Sequence, residues 1–318
     1  VVTADGVDVP ALPYFSPNNT DTTKERPMNE TTAAIPPVEN SVEYVDVPAP
    51  TPKDLMIGID IGGTGMKGGI VDLRTGNLVS ERFRIPTPQP ATPQAIAQVA
   101  RQIVDELQSR EIAPEPYSAI GVDFPAVVKN GVVFSAANVD PAWINTNLEQ
   151  LISDALDSRT VYGINDADAA GLAEATYGQG RDKTGLIAVI TLGTGIGSAL
   201  INNGVLVPNT ELGHLEIDGY DAESRASARA REVHDLSWKK YAKKRLRRYF
   251  QHVEALFSPD LFIIGGGISK NPEKFMPYFE DEIRTPMVMA TLRNNAGIVG
   301  AALWAGGMPS ERQRRGEL

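Results

Sequence analysis

Two glycine–threonine–glycine turns, each fed by an apolar strand, constrain this 318-residue chain more than any other feature. The first is Gly58-Ile59-Asp60-Ile61-Gly62-Gly63-Thr64-Gly65-Met66-Lys67-Gly68-Gly69, entered from the buried-strand run Leu55–Ile59. Such a turn has no side chain to block its backbone. Gly62, Gly63 and Gly65 are free to take positive φ and aim amide N–H groups at an anion. Asp60 is a hard oxygen donor of the kind Mg²⁺ takes, usually through water. Thr64 offers a hydroxyl and Lys67 a cation to phosphate oxygens. Alone, the turn also reads as a tight hairpin with a chance aspartate, since it is neither a Walker loop nor a dinucleotide fingerprint.

The second turn changes that reading. Ile187–Leu192 is another buried-strand run, ending in Gly193-Thr194-Gly195-Ile196-Gly197 and followed by apolar Ala199-Leu200-Ile201. Between the two turns, a strand at Thr160–Ile164 runs into Asn165-Asp166, where a helix over Ala167–Tyr177 begins. The pattern predicts a duplicated α/β fold that grips a phosphate donor from two sides. Asp166 is either a helix cap or the carboxylate that orients an attacking hydroxyl and accepts its proton. Its place between two phosphate turns favours the base.

These residues carry a resemblance. Asp60-Ile-Gly-Gly-Thr64, Asn165-Asp166, Gly193-Thr-Gly-Ile-Gly197, Glu211-Leu-Gly-His214 and Gly265-Gly-Gly267 are similar to the motifs of the ROK family of sugar kinases. The resemblance covers residues 55–305 and within the family is strongest to polyphosphate glucokinases and polyphosphate/ATP glucomannokinases. It implies a two-lobed ribonuclease-H-like fold of the actin and hexokinase superfamily, with a cleft between lobes. The lobes are expected over 54–164, completed by a returning helix at 291–305, and over 165–290. It also implies phosphoryl transfer from polyphosphate, ATP or both to the 6-hydroxyl of glucose or mannose, with Mg²⁺. Asn138, Asn165, Glu211, His214 and Glu223 are implied to hold the sugar. Asp60, Gly62, Gly63, Thr64, Lys67, Thr194 and Gly195 are implied to serve phosphate and metal, and Gly266 and Gly267 to lie beside a nucleotide. A homodimer is the family's common assembly.

The chain departs from that family in two places. Most members hold a structural zinc in a cysteine cluster after the Glu–His motif, whereas this chain has no cysteine, so thiolate zinc and disulfides are both excluded. Polyphosphate-using members share that pattern. Near Pro125 the family usually carries a small polar residue and a glycine, where this chain has Asp123 and Ala126, and Asp123 receives no role. Asn138-Val-Asp140-Pro-Ala-Trp143 reads either as a sugar-contacting loop or as an Asx-turn with Trp143 in the core.

Charge bounds the partners. The net charge of −10 argues against general nucleic-acid binding. Residues 1–53 hold nine of the 23 prolines and show no helical or strand period, so they read as a disordered tail, as does the charged end 306–318. Apolar runs are too short to span a bilayer as a helix, and no basic-plus-apolar leader follows Val1, giving the expectation of a cytoplasmic protein. Ser224–Phe257 reads as a long helix, either whole or broken, with an apolar stripe from Trp238 to Phe257. Interleaved are seven cations in ten residues, Lys239, Lys240, Lys243, Lys244, Arg245, Arg247 and Arg248, which form either a solvated face or a track for a polyanion such as polyphosphate. Two rival functions are a sugar-sensing ROK transcriptional regulator and a nucleotide-hydrolysing chaperone of the actin-like superfamily. The first would need a helix-turn-helix that residues 1–53 do not pattern, and the second should lack the Glu211–His214 wall.

Overall fold

The computed structural model describes residues 48–136 and 139–307. The expected tail (1–53) lies mostly outside them, as do Asn138 and most of 306–318. The described chain begins before Lys53. Arg74 Nη2 donates to Pro48 O at 3.0 Å, and Glu115 N to Pro52 O at 3.3 Å.

Two sheets repeat one plan. In the first, β1 (Leu55–Ile61) and β2 (Met66–Asp72) form an antiparallel pair extended by β3 (Asn77–Leu78) and β4 (Phe83–Ile85), so residues 55–85 make four strands. The helix α1 (Pro93–Gln108), capped by Thr92, covers this sheet with Ile96, Ala100, Ile103 and Leu107. After it, β5 (Ile120–Phe124) runs parallel to β1. A small hairpin of β6 (Val128–Lys129) and β7 (Val132–Val133) turns at Asn130-Gly131, as its sequence signals. The helix α2 (Leu148–Ala155) leads to β8 (Val161–Asn165), parallel to β5. The order is β3-β2-β1-β5-β8.

The helix α3 (Asp166–Tyr177) then crosses to the second sheet. There β9 (Leu186–Leu192), β10 (Ile196–Asn202) and β11 (Val205–Val207) form the antiparallel part. A hairpin of β12 (Glu216–Ile217) and β13 (Tyr220–Asp221) follows. The expected long helix is broken into α4 (Glu223–Ala226), α5 (Ala228–Val233) and α6 (Trp238–Tyr241), a π-helical turn at Ala242–Leu246, and α7 (Arg247–Phe257). Ser227 and Ser237 cause the breaks: each leaves helical dihedrals and caps the next segment with its hydroxyl. The apolar stripe is nonetheless real, with Tyr241, Leu246, Tyr249, Phe250 and Val253 fully buried. The chain closes through β14 (Leu261–Gly265) and β15 (Met287–Met289), both parallel to β9, and α8 (Ala296–Ala305). The order β11-β10-β9-β14-β15 matches the first sheet position for position.

Helices α3 and α8 lie between the sheets. They are rich in alanine and glycine because backbones meet there. A Cβ on Gly121 would sit 1.8 Å from Ala301 O, and one on Gly300 the same distance from Ala169 O. This small-residue seam joins β1 and β5 to α8, α8 to α3, and α3 to β10, so the two halves share one interior.

Candidate active site

Parallel strands align their C-terminal ends, which places the first half's polar groups on one edge. Asp60 on β1 is in register with Asp123 on β5, and Phe124 beside it with Asn165 on β8. Asn165 takes the capping role that sequence alone allowed to Asp166. Its Oδ1 accepts from Ala167 N at 2.9 Å and Asp168 N at 3.1 Å, and its Nδ2 donates to Ala126 O at 3.1 Å. These bonds aim the helix start and leave one Nδ2 hydrogen for a further acceptor. Asp166 accepts from Ala167 N at 2.8 Å through Oδ1 and is open to solvent. The dense protein around the cleft floor, with the charges of Asp60 and Glu211, raises its carboxyl to about 6, against the Ala167 N–H. Solvent contact softens the burial and screens the two carboxylates as well, and all three act in the same upward direction.

The first turn is braced by charged side chains. Lys67 Nζ donates to Asp60 Oδ2 at 2.8 Å, Arg84 Nη2 to Thr64 O at 2.9 Å, and the Thr87 hydroxyl to Gly62 O. Gly62, Gly63 and Gly65 do not take positive φ, which corrects the expectation from sequence. Space explains Gly65 instead, since a Cβ there would meet the Arg84 guanidinium at 2.4 Å. Gly63 and Thr64 are exposed, leaving the turn's face open.

The second turn is braced by one carboxylate. Glu223 Oε2 accepts from Ile196 N at 2.8 Å, and Arg229 N donates to Gly193 O at 3.1 Å. A Cβ on Gly195 would stand 2.2 Å from that same Glu223 oxygen. One oxygen of Glu223, expected to hold sugar, is therefore committed to the turn. Thr194 is exposed at its tip. A third turn, at the end of β14, has Gly266 at φ +81, where a Cβ would meet Leu192 O at 2.3 Å. Beside it a cavity of about 140 Å³ is lined by Gly266, Gly267, Ser269, Lys270, Arg293 and Asn294.

Glu211, His214 and Glu223 come together, each within electrostatic reach of the others. Ser198 positions their segment, accepting from Leu212 N at 2.9 Å and donating to Thr210 O at 2.6 Å. His214 Nδ1 bonds Asp221 Oδ2 at 2.8 Å, which chiefly raises the imidazole's pKa and orients the ring. Burial pushes Glu211 up.

Three acids escaped sequence reasoning. Asp221 braces His214 across the β12–β13 hairpin, a contact that only the hairpin's closure creates. Asp168, three residues past Asn165, accepts from Asn209 N at 2.6 Å, and burial raises its carboxyl to about 8. Asp123 is wholly buried with neither oxygen paired; burial, then Asp60 and Asp166, hold its carboxyl well above the usual range. Its departure from the family pattern was the available signal. Asn138 falls outside the described residues. Its neighbours follow the plainer reading: Asp140 Oδ1 accepts from Ala142 N at 2.9 Å, and Trp143 is buried against Phe124 with its Nε1 donating to Ala91 O.

Among the described residues no helix is long and apolar enough to cross a membrane, and no three His, Cys, Asp or Glu side chains are grouped to hold a metal ion.

Twin sheets of order 3-2-1-4-5, glycine turns on each and an acid at a strand–helix junction define the actin/hexokinase-like class of phosphotransferase folds. Within it the chain belongs to the ROK family, whose model matches residues 56–228. It is 48% identical over 261 residues to the polyphosphate glucokinase of Mycobacterium tuberculosis, covering 82% of this chain and 95% of the relative. The Mycobacterium leprae polyphosphate glucokinase is 49% identical over 258 residues, 81% of this chain and 76% of that protein. The crystal structure of the inorganic polyphosphate/ATP-glucomannokinase from Arthrobacter sp. strain KM is 59% identical, with TM-score 0.75, covering 80% of this chain and 99% of that one. A ROK transcriptional regulator at 17% identity shares the fold alone.

Proposed function

We propose that this chain is a polyphosphate- and ATP-using glucokinase that also accepts mannose, with Asp166 as its general base. The observation that carries the reading is the placement of Asp166 within reach of both Asp60 and Glu211, between the phosphate turns and the sugar wall. The similarity to polyphosphate glucokinases at 48% identity supports the substrates and the reaction. Glu211 and His214 bind sugar hydroxyls, His214 through the Nε2 that Asp221 leaves available, and Glu223 adds its second oxygen. Asn138 completes the sugar contacts. The amides of Gly62, Gly63 and Gly195, the hydroxyls of Thr64 and Thr194, and Lys67 bind the donor's phosphates. Gly266 and Gly267 flank the nucleotide when ATP is the donor. Asp60 meets Mg²⁺, which supplies neutralisation of the phosphate charge when bound.

Asp166 orients the 6-hydroxyl and takes its proton as the oxygen–phosphorus bond forms. The bond from that phosphorus to the donor's bridging oxygen breaks, and the shortened donor leaves with the electron pair. The enzyme works as a cytoplasmic homodimer. A coupled assay crossing glucose and mannose with polyphosphate and ATP tests the reading. Formation of glucose 6-phosphate from both donors is expected. Sugar-independent ATP hydrolysis, or sugar-controlled DNA binding without turnover, would overturn it.

A further inference from the structure

The basic run gains a shape in the structure. Among the described residues Lys239, Lys240, Lys243 and Lys244 make no ion pair, while Arg247 pairs with Glu282 at 2.6 Å and Arg248 with Asp218 at 2.8 Å. The run is wound around the π-helical turn Ala242–Leu246, the one place where the helix leaves α geometry. A π turn adds a residue and swings side chains out of the α register, and such turns recur at functional sites. Here it puts Lys244 and Arg245 beside Arg248 on the wall of a cavity of about 110 Å³. The β12–β13 hairpin and α4 form the opposite wall with Tyr220 and Arg225.

The cavity's chemistry is one-sided. Arg225 lies 3.4 Å above the Tyr220 ring, held there by its cation–π contact. The one carboxylate on the lining, Asp218, is answered by Arg248 through two hydrogen bonds, from Nε at 3.2 Å and Nη2 at 2.8 Å. The charges of Arg225, Lys244 and Arg245 remain over. Two buried polar atoms on the lining residues have no partner: the Arg245 Nε and the hydroxyl of Tyr249, a residue only 1% exposed. Both atoms are closed off from solvent and so lie behind the cavity wall, not on its open face. The cations left over on that face fit a ligand that carries negative charge and accepts hydrogen bonds, and a phosphate group does both.

We infer that this cavity is a second phosphate site, which takes a phosphate group beyond those at the reacting centre. Its position deepens the proposed function and rests on it for the source of the ligand. Glu223 and Arg225 lie on the single turn of α4, one holding the Gly193–Gly197 turn and the other lining the cavity. A helix is about 10 Å across, a span that a chain of linked phosphates bridges and the triphosphate of ATP, held at its own nucleoside end, does not. The site therefore takes an inner residue of polyphosphate in preference to free phosphate or ATP.

The test uses the full chain and three variants: Tyr249→Phe, Lys244→Ala and Arg245→Gln. Thermal shift and calorimetry are run with inorganic phosphate, tripolyphosphate, long-chain polyphosphate and a single-stranded oligonucleotide at matched ionic strength. Saturable binding of long polyphosphate, weakened several-fold by Lys244→Ala and by Arg245→Gln and left unchanged by Tyr249→Phe, is expected. Tyr249→Phe should also raise the melting temperature without ligand, because it removes an unpaired buried hydroxyl. In turnover, Lys244→Ala and Arg245→Gln should raise KM for long polyphosphate several-fold and leave KM for ATP unchanged, and Tyr249→Phe should leave both unchanged. Inorganic phosphate binding as well as the chain, with the same variant dependence, would identify a free-phosphate site and overturn the polyphosphate assignment. Oligonucleotide binding of equal strength would do the same. Equal KM changes for both donors, or none, would overturn the site itself. Binding that behaves as expected in a chain that phosphorylates no sugar would instead overturn the proposed function and keep the site.

Discussion

The two glycine–threonine turns occupy equivalent places in equivalent sheets, yet the protein braces them differently. The turn after β1 is held from outside by cations, with Lys67 on Asp60 and Arg84 on the Thr64 carbonyl. The turn after β9 is held from behind by the Glu223 carboxylate on Ile196 N. A duplicated backbone has thus acquired two kinds of support. The first turn carries a carboxylate paired with a cation. The second has a backbone whose shape depends on an acid beside Glu211 and His214, so under the proposed function sugar contact at Glu223 and donor contact at Gly195 would be mechanically linked.

The largest expected effect tests what the turns share. Asp166→Ala should cut turnover by about two to four powers of ten, with glucose affinity by calorimetry little changed. Near-normal turnover would break the assignment.

Gly195→Ala and Gly63→Ala sharpen the asymmetry. The first places a Cβ 2.2 Å from the Glu223 oxygen, so the carboxylate must leave Ile196 N, and should raise KM for donor and sugar together. The second meets nothing within 4 Å and has no positive φ, so its melting temperature should match the parent's. Equal melting losses in both would show that the turns are braced alike.

A pH profile gives a smaller effect. The Asp166 carboxyl titrates at about 6, and the base must be ionised, so kcat/KM should rise with pH through that value and level off above it. Glu211→Gln removes a negative neighbour and should move this limb to lower pH. An unmoved limb would separate the sugar wall from the base.

The smallest effect concerns Asp168. Its folded value, about 8, lies above the ordinary 3.8. The folded state therefore holds the proton longer, and this contribution to stability is full below the ordinary value and lost as pH rises toward 8. Asp168→Asn should flatten the decline of melting temperature over that window. An unchanged slope would refute the assignment.

Much of the fold was readable because its signals are local. Buried strands announce themselves as apolar runs bounded by glycine, as at Leu55–Ile59 and Ile187–Leu192, and Asn130-Gly131 marks its hairpin. The site was readable where a motif lies within one turn, as at Glu211–His214. The helical stretch after Glu223 was readable, whole or broken, but its breaks could not be placed because the apolar stripe persists through the caps at Ser227 and Ser237. The short strand β11 is hidden because polar and turn residues flank it on both sides.

By itself, the sequence determined the repeated strand–turn–strand units, the residues at their tips and the absence of thiolate metal, because each depends on residue type and near neighbours. Tertiary structure decided which acids meet. Asp60, Asp123 and Asp166 share an edge only because three parallel strands end in register. Glu223 grips the second turn, and Asp221 aims His214, only because α4 and a two-stranded hairpin fold back. Charge and hydrogen bonding act through space, over distances that chain order does not encode.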